Sequence, residues 1–179
     1  PGELPEFLAD LAAGPQPLVY FAMGSSGNRD LVLHVLAGLG RADCQVLAPV
    51  RSHLRQEDLE TLPRNVHVTD WLPAHQLGDA VDLAITHGGE GTVQTSCVQG
   101  WPFIGIPLQF EQRFNVQRCV AFGSARLVSQ REARRADWAE LVRQALADEG
   151  MRSRARRMAG LMEGLDGPGR AAEAICELL

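Results

Sequence analysis

Thr86-His87-Gly88-Gly89-Glu90-Gly91-Thr92 is the stretch that decides how this chain folds. An apolar run, Val81-Asp82-Leu83-Ala84-Ile85, leads into it, and a helix-compatible run from Val93 to Gln99 leaves it. A strand that ends in a glycine-rich turn and opens a helix leaves backbone N–H groups unpaired. The helix dipole adds roughly half a positive charge at the same point. Together they favour an anion. Gly88, Gly89 and Gly91 let the backbone approach such a group closely, and His87 and Thr92 add side-chain donors. The turn reads as a cradle for a diphosphate.

Outward from the turn, strands and helices alternate. A short helix is predicted over 4–13, then a buried strand over 17–23 that ends at Gly24-Ser25-Ser26-Gly27. Asn28, a good N-cap, opens a helix that runs to Leu39 and stops at Gly40. Further strands are predicted at 44–49, 66–69, 81–86, 103–106 and 125–128, with a helical turn at 73–80 and helices at 91–99 and 111–121. From Arg134 onward the pattern is helical, in about three segments broken at Gly150 and at 164–169. Near-continuous apolar strands alternating with helices imply a parallel sheet covered on both faces. The fold class is α/β, a doubly wound parallel sheet of about six strands with a helical C-terminal tail, in a single domain over 1–179. In such sheets ligands bind beyond the carboxyl ends of the strands.

Composition narrows the function. The net charge of −5 argues against a nucleic-acid partner. All 17 basic residues are arginine, which removes lysine clamps and Schiff bases from consideration. The apolar runs are too short to span a bilayer and no signal peptide is visible. Cys44, Cys97, Cys119 and Cys176 are scattered, without C-x-x-C and without histidine at ligand spacing. Buried free thiols and a reducing, cytoplasmic setting fit them best. The arginines between Arg131 and Arg157 interleave with acidic and apolar residues and read as a solvated helix face. The start at Pro1 leads us to expect a processed chain or an excised fragment.

Two more strand-end features join the glycine turn. Ser25 sits in the turn after the first strand, and Trp71-Leu72-Pro73 follows the third. Trp71 on a strand-end loop offers a flat face to a nucleobase.

Taken in order, these residues resemble the C-terminal, donor-binding domain of GT-B fold glycosyltransferases. These form the UDP-glycosyltransferase superfamily, and the likeness is to its bacterial macrolide and natural-product branch. The resemblance covers about 17–128. It rests on Trp71-Leu72-Pro73, then His87 to Thr92, then Gly100-Trp101-Pro102, Pro107, the pair Glu111-Gln112, and Asn115. It implies a Rossmann-like half that binds a nucleotide-diphospho-sugar, UDP- or dTDP-hexose, for transfer to a small-molecule hydroxyl. By the same resemblance Trp71 stacks on the base and the Leu72 backbone reads its edge. His87, Gly89, Gly91 and Thr92 hold the diphosphate with Ser25 across the cleft, and Glu111 and Gln112 reach the sugar hydroxyls. No metal and no cofactor are implied. The catalytic base and the acceptor site belong to the family's N-terminal half, absent from this chain, so none of its residues is catalytic and the chain alone is expected to be inactive.

The chain departs from the family pattern at several positions. Ala74 and Thr95 stand where plant members carry glutamine and a ribose-binding glutamate, Glu111 replaces the usual aspartate, Glu90 adds a negative charge beside the cradle, and Trp101 is unusually large. A nucleotide-sugar epimerase-type or split GT-B half, and a non-catalytic nucleotide-sugar-binding module, are the alternative readings.

Overall fold

The computed structural model describes residues 4–177. The first three residues and the last two, which the sequence assigns to the same domain, lie outside the described residues. A short helix α1 (Phe7–Ala13) precedes β1 (Leu18–Ala22), α2 (Arg29–Leu39), β2 (Gln45–Ala48), α3 (Gln56–Leu59) and β3 (Val66–Val68). The second half runs β4 (Leu83–Thr86), α4 (Glu90–Gln99), β5 (Phe103–Gly105), α5 (Phe110–Phe122), β6 (Ala125–Leu127), and then α6 (Gln130–Ala133), α7 (Trp138–Leu146), α8 (Glu149–Met162) and α9 (Gly167–Cys176). The six strands form one sheet in the order β3-β2-β1-β4-β5-β6, every pairing parallel. The expected doubly wound sheet is present.

Every residue of β1 is buried, and its alternation explains why. Val19, Phe21 and Met23 fall in one core cluster, with Leu31, Val35, Leu36 and Trp138 from α2 and α7. Leu18, Tyr20 and Ala22 fall in the other, with Cys97, Trp101, Phe103 and Val116 from the α4–α5 side. Successive side chains point to opposite faces of a strand, so a strand apolar at every position must be covered twice. β4 begins at Leu83, two residues later than the sequence suggests. Asp82 instead anchors β1, its carboxylate accepting from the Leu18 N–H at 2.9 Å.

The helix starts follow their capping residues. Asn28 accepts from the Leu31 N–H at 3.0 Å to open α2. A capping box of Ser129 and Glu132 starts α6, which lies ahead of the predicted helical tail. The break predicted at Gly150 falls instead at Ala147–Asp148, where Asp148 caps α8 through the Met151 N–H at 2.9 Å, and Gly150 sits inside the first turn. Asp166 likewise starts α9. The helical turn predicted at 73–80 is two 3-10 turns, Ala74–Gln76 and Gly78–Ala80. Gly78 takes a positive φ of 52° where they meet.

Cys44, Cys97 and Cys119 are buried free thiols and Cys176 is exposed. Cys97 and Cys119 meet, Sγ to Sγ at 3.8 Å, between α4 and α5. Sequence spacing carries no sign of that pairing. Arg131, Arg134, Arg135, Arg154, Arg156 and Arg157 are exposed, as a solvated face requires, whereas Arg152 reaches back to the Leu146 carbonyl at 2.8 Å. Met158 and Met162 pack against the second cluster, while Leu161 and Leu165 are exposed.

Two helical glycines in this frame have opposite surroundings. A Cβ at Gly38 would stand 2.8 Å from Cδ1 of the buried Trp138, whereas one at Gly160 meets nothing within 4 Å. Alanine is the better helix former by about 1 kcal/mol, but overpacking a core contact costs about 1–3 kcal/mol. Gly38→Ala is therefore expected to destabilise by up to about 2 kcal/mol, and Gly160→Ala to stabilise by about 0.5–1 kcal/mol. Urea unfolding midpoints of the two variants check the signs; a stabilised Gly38→Ala would show that the α2–α7 contact is looser than described.

Candidate functional site

The chain reverses its winding between β1 and β4. From β1 it crosses outward to β2 and β3, then returns to β4 and proceeds to β5 and β6 on the other side. The helices that follow β1 and β4 therefore pack on opposite faces of the sheet, and a crevice opens above the carboxyl ends of the strands. A cleft of about 510 Å³ lies there. Ser25 from the β1 loop, Trp71 and Leu72 from the loop after β3, and His87, Gly89, Gly91 and Thr92 from the β4–α4 turn all line it. Seven of the nine residues singled out in the sequence thus meet in one place. A larger open depression, about 680 Å³ and bordered by Arg131, Glu132 and Arg135, flanks β6 away from the switch point.

The glycine turn is held by a chain of hydroxyls. The Gly88 N–H donates to Thr86 Oγ1 at 2.8 Å, Thr86 and Thr92 hydroxyls are 3.0 Å apart, and Thr92 Oγ1 donates to the Gly89 carbonyl at 2.9 Å. Because the Thr92 proton goes to Gly89, Thr86 is the donor between the two hydroxyls. Thr92 therefore shapes the turn with its hydroxyl and has only lone-pair capacity left for a ligand, against the expectation that its O–H serves as a donor. Gly88 takes φ of 84°, open only to glycine without strain. A Cβ there would also collide with Val116 and the Gln112 carbonyl of α5. Asn115 closes the same turn from α5, donating to the Gly88 carbonyl at 3.1 Å and to Glu111.

The first turn of α4 has no side-chain cap, in contrast to α2, α6, α7, α8 and α9. Its free N–H groups start at Gly89 and face the cleft, which Gly89, Glu90, Gly91 and Thr92 all line. Beside them His87 is 7% exposed, its ring wedged between Gly24 and Gly89. A Cβ at Gly24 would stand 2.6 Å from the ring, so glycine is required on that side. Nδ1 is buried and finds no partner among the described residues. Burial pushes the His87 pKa below its ordinary value; the Ala22 carbonyl and the nearby Glu111 carboxylate pull the other way, and His53 adds to the lowering. His53 also pins the β1 loop, its Nε2 lying 2.7 Å from the Gly24 carbonyl oxygen.

Trp71 is 77% exposed at the cleft mouth while Leu72 beside it is buried, so the turn is anchored through Leu72 and offers the indole outward. Leu72 backbone groups take no partner among the described residues. Trp101 fills the core behind: its indole N–H donates to the Gly78 carbonyl at 2.8 Å. The large residue at this position thus braces the segment next to the Trp71 turn.

Glu111 and Gln112 stand apart from the other seven; neither lines the cleft. Gln112 is 3% exposed, with its amide oxygen accepting from the Leu108 N–H at 2.9 Å and its amide nitrogen donating to Ser26 Oγ at 3.1 Å. The expected direct reach of Gln112 into the site is therefore corrected: its amide braces the β1 loop against α5. Glu111 is exposed and holds Asn115. Asn115 was part of the sequence series, but its clamp on Gly88, and those of Gln112 on Ser26 and His53 on Gly24, join segments far apart in the chain and carry no local signal. Among the described residues no arginine lines the cleft, and no three His, Cys, Asp or Glu side chains gather as a metal site.

Comparisons with known proteins place this fold among glycosyltransferases. The chain is 30% identical over 146 residues to a PGL/p-HBAD biosynthesis glycosyltransferase of Mycobacterium tuberculosis, covering 80% of this chain and 33% of that protein. It is 31% identical over 140 residues to 4'-demethylrebeccamycin synthase of Lentzea aerocolonigenes, covering 74% of this chain and 32% of that one. The chain thus spans about a third of the length of these relatives. Its fold matches spinosyn rhamnosyltransferase SpnG complexed with thymidine diphosphate with a TM-score of 0.81 at 19% identity, over 98% of this chain and 48% of that one. A family model for the erythromycin biosynthesis protein CIII-like C-terminal domain matches residues 33–178. With that match over most of its length, the chain belongs to the family of erythromycin biosynthesis protein CIII-like C-terminal domains.

Proposed function

We propose that this chain is the donor-binding part of a glycosyltransferase. It binds a pyrimidine nucleoside diphospho-sugar, of the UDP or dTDP type, and presents the anomeric carbon to a hydroxyl acceptor held by a partner domain. One observation carries the reading: the uncapped start of α4, the unpartnered imidazole of His87 and the exposed face of Trp71 share one cleft at the switch point. In this reading the nucleobase stacks on Trp71 and the Leu72 backbone meets its edge. The diphosphate lies against the Gly89–Thr92 amides, with Ser25 opposite.

The chemistry asked of the site is modest. As the glycosidic bond to the β-phosphate breaks, negative charge grows on the leaving diphosphate. Oriented N–H groups and His87 stabilise it without the reorganisation that water would need. Oriented amides, the helix dipole and His87, rather than arginine or a metal, carry the charge here, and Glu90 at the cleft edge sets a limit on affinity. The general base for the acceptor is assigned to the partner domain, and the chain alone is expected to bind donor without transferring sugar. Glu111 is proposed to reach the sugar through the carboxylate oxygen that Asn115 leaves free, with Gln112 bracing the segment behind it.

Isothermal titration with UDP, dTDP and their hexose conjugates should show binding of at least one diphosphate below millimolar concentration, with no sugar transferred by the chain alone. Robust transfer would overturn the division of labour. Absence of binding would overturn the donor reading and favour a non-binding relative of the family.

His87→Ala is expected to weaken diphosphate binding by about 1.5–3 kcal/mol, the range for a hydrogen bond to a charged group, and to leave free nucleoside binding nearly unchanged. Burial keeps the free imidazole neutral at pH 7, and an anion against the ring favours its protonated form, so binding takes up a proton. The affinity ratio of wild type to variant should then grow as pH falls from 8 towards 6. A flat ratio, with equal loss of nucleoside binding, would make His87 a packing residue.

Glu111→Ala should lower affinity for the nucleotide-sugar while sparing the bare diphosphate, whereas Gln112→Ala should cost about 1–3 kcal/mol of stability by stranding its partners. Paired titrations and melting curves separate the two. Equal losses for both ligands in Glu111→Ala would remove the sugar contact.

A further inference from the structure

Tyr20 is the chain's single tyrosine and sits in the middle of β1, where the sequence reads only as buried strand. Its side chain is 7% exposed, and its ring packs against Trp101 with centroids 5.7 Å apart and planes tilted by 51°. The residue nevertheless lines the switch-point cleft, together with Ala22, Leu72 and Ala74. Its hydroxyl is not among the sealed polar atoms of the core and bonds to no other described residue, so it opens into the cleft.

The Trp101 indole and the threonine hydroxyls in this neighbourhood are already engaged, whereas the Leu72 backbone groups and the side chains of Trp71 and His75 bond to no other described residue. The indole N–H of Trp101 goes to Gly78, the Thr95 hydroxyl to the Gly91 carbonyl at 2.8 Å, and the Thr92 hydroxyl to the Gly89 carbonyl. Ser25 keeps a free hydroxyl, but it is exposed on the loop opposite the α4 start. Among the described residues, Tyr20 therefore carries the one unengaged hydroxyl on the cleft floor. Desolvation raises its pKa to about 12, so it remains a neutral O–H donor at any working pH. A donor set among apolar groups favours a ligand that brings an acceptor to it, because leaving it unpaired forfeits the hydrogen bond.

Position decides which part of the ligand this is. Tyr20 lies two residues below the end of β1, roughly 6–7 Å deeper than the loop that carries Ser25. It lines the cleft beside Leu72 and Ala74 of the Trp71 turn and packs in one apolar cluster with them. We infer that the Tyr20 hydroxyl recognises the nucleoside, donating to an oxygen of the base or the ribose, and so sets nucleotide affinity independently of the phosphates. This rests on the donor-binding reading above and adds to it a recognition group in the strand itself.

Tyr20→Phe keeps the ring and its packing and removes only the hydroxyl. Wild type and variant are to be titrated with UMP, 2′-deoxy-UMP and inorganic pyrophosphate. The expected result is a loss of about 3- to 12-fold for UMP with pyrophosphate unchanged. If the loss persists with the deoxynucleotide, the acceptor is on the base or elsewhere on the sugar; if it disappears, the 2′-hydroxyl is the acceptor. Either outcome supports the inference. Unchanged UMP affinity in the variant, or an equal loss with pyrophosphate, overturns it while wild-type nucleotide binding leaves the donor reading standing. Failure of the wild type to bind UMP and UDP alike overturns both. Because there is one tyrosine, selective ¹³C labelling gives a single ring signal in the unmutated protein. Its Cζ resonance should move with UMP and stay in place with pyrophosphate, and the opposite pattern overturns the inference even if the variant folds poorly.

Discussion

Everything at this site depends on how closely the turn after β4 approaches the loop after β1. The ring of His87 occupies the gap, and glycine stands on both sides of it, Gly24 across the sheet and Gly89 along the chain. A side chain at either position would push the imidazole out or spread the strands. With both absent, the ring is buried and loses its water, which pushes its pKa below the ordinary value. The same close fit extends into α5, where Val116 and the Gln112 carbonyl press on Gly88. The glycine turn is thus gripped from two sides, a pre-organisation of the kind that the proposed function asks of it.

For the diphosphate site proposed, the electrostatics of the cleft are unusual, because no arginine lines its walls among the described residues. The supply of donors is made of backbone amides at a helix start, a neutral imidazole and a serine. Oriented dipoles in a partly enclosed cleft act at short range and respond weakly to salt compared with exposed ion pairs. Glu90 works in both directions. At the first position of α4 it favours the helix through the macrodipole, and at the cleft edge it opposes an incoming anion. Under the proposed function, one carboxylate thus couples helix stability to donor affinity with opposite signs.

Hydroxyl groups divide into two kinds around the cleft. Thr86, Thr92 and Thr95 direct theirs to the protein and hold the glycine turn and the start of α4 in shape. Ser25 and Tyr20 keep theirs free, one at the rim and one on the floor. Hydrogen-bond bookkeeping of this kind separates residues that build the site from residues able to meet a ligand, even where all of them line it. Asn115 and Gln112 fall on the building side, clamping α5 to the turn at Gly88 and to Ser26.

The sequence by itself determined the layered sheet, the glycine turn and its place at a strand end. These depend on local periodicity, on residues that start and stop helices, and on glycine's freedom at particular turns, all of which act within a few positions of one another. Only the tertiary structure decided which hydroxyls are engaged, that Gln112 turns inward to Ser26, that His53 holds Gly24, that Cys97 meets Cys119, and that Tyr20 in a buried strand opens onto the cleft. The hydroxyl bonds are local but turn on the exact shape of the glycine turn. The rest depend on contacts between segments 22 to 86 residues apart or on the space left between them, which neither propensity nor spacing encodes.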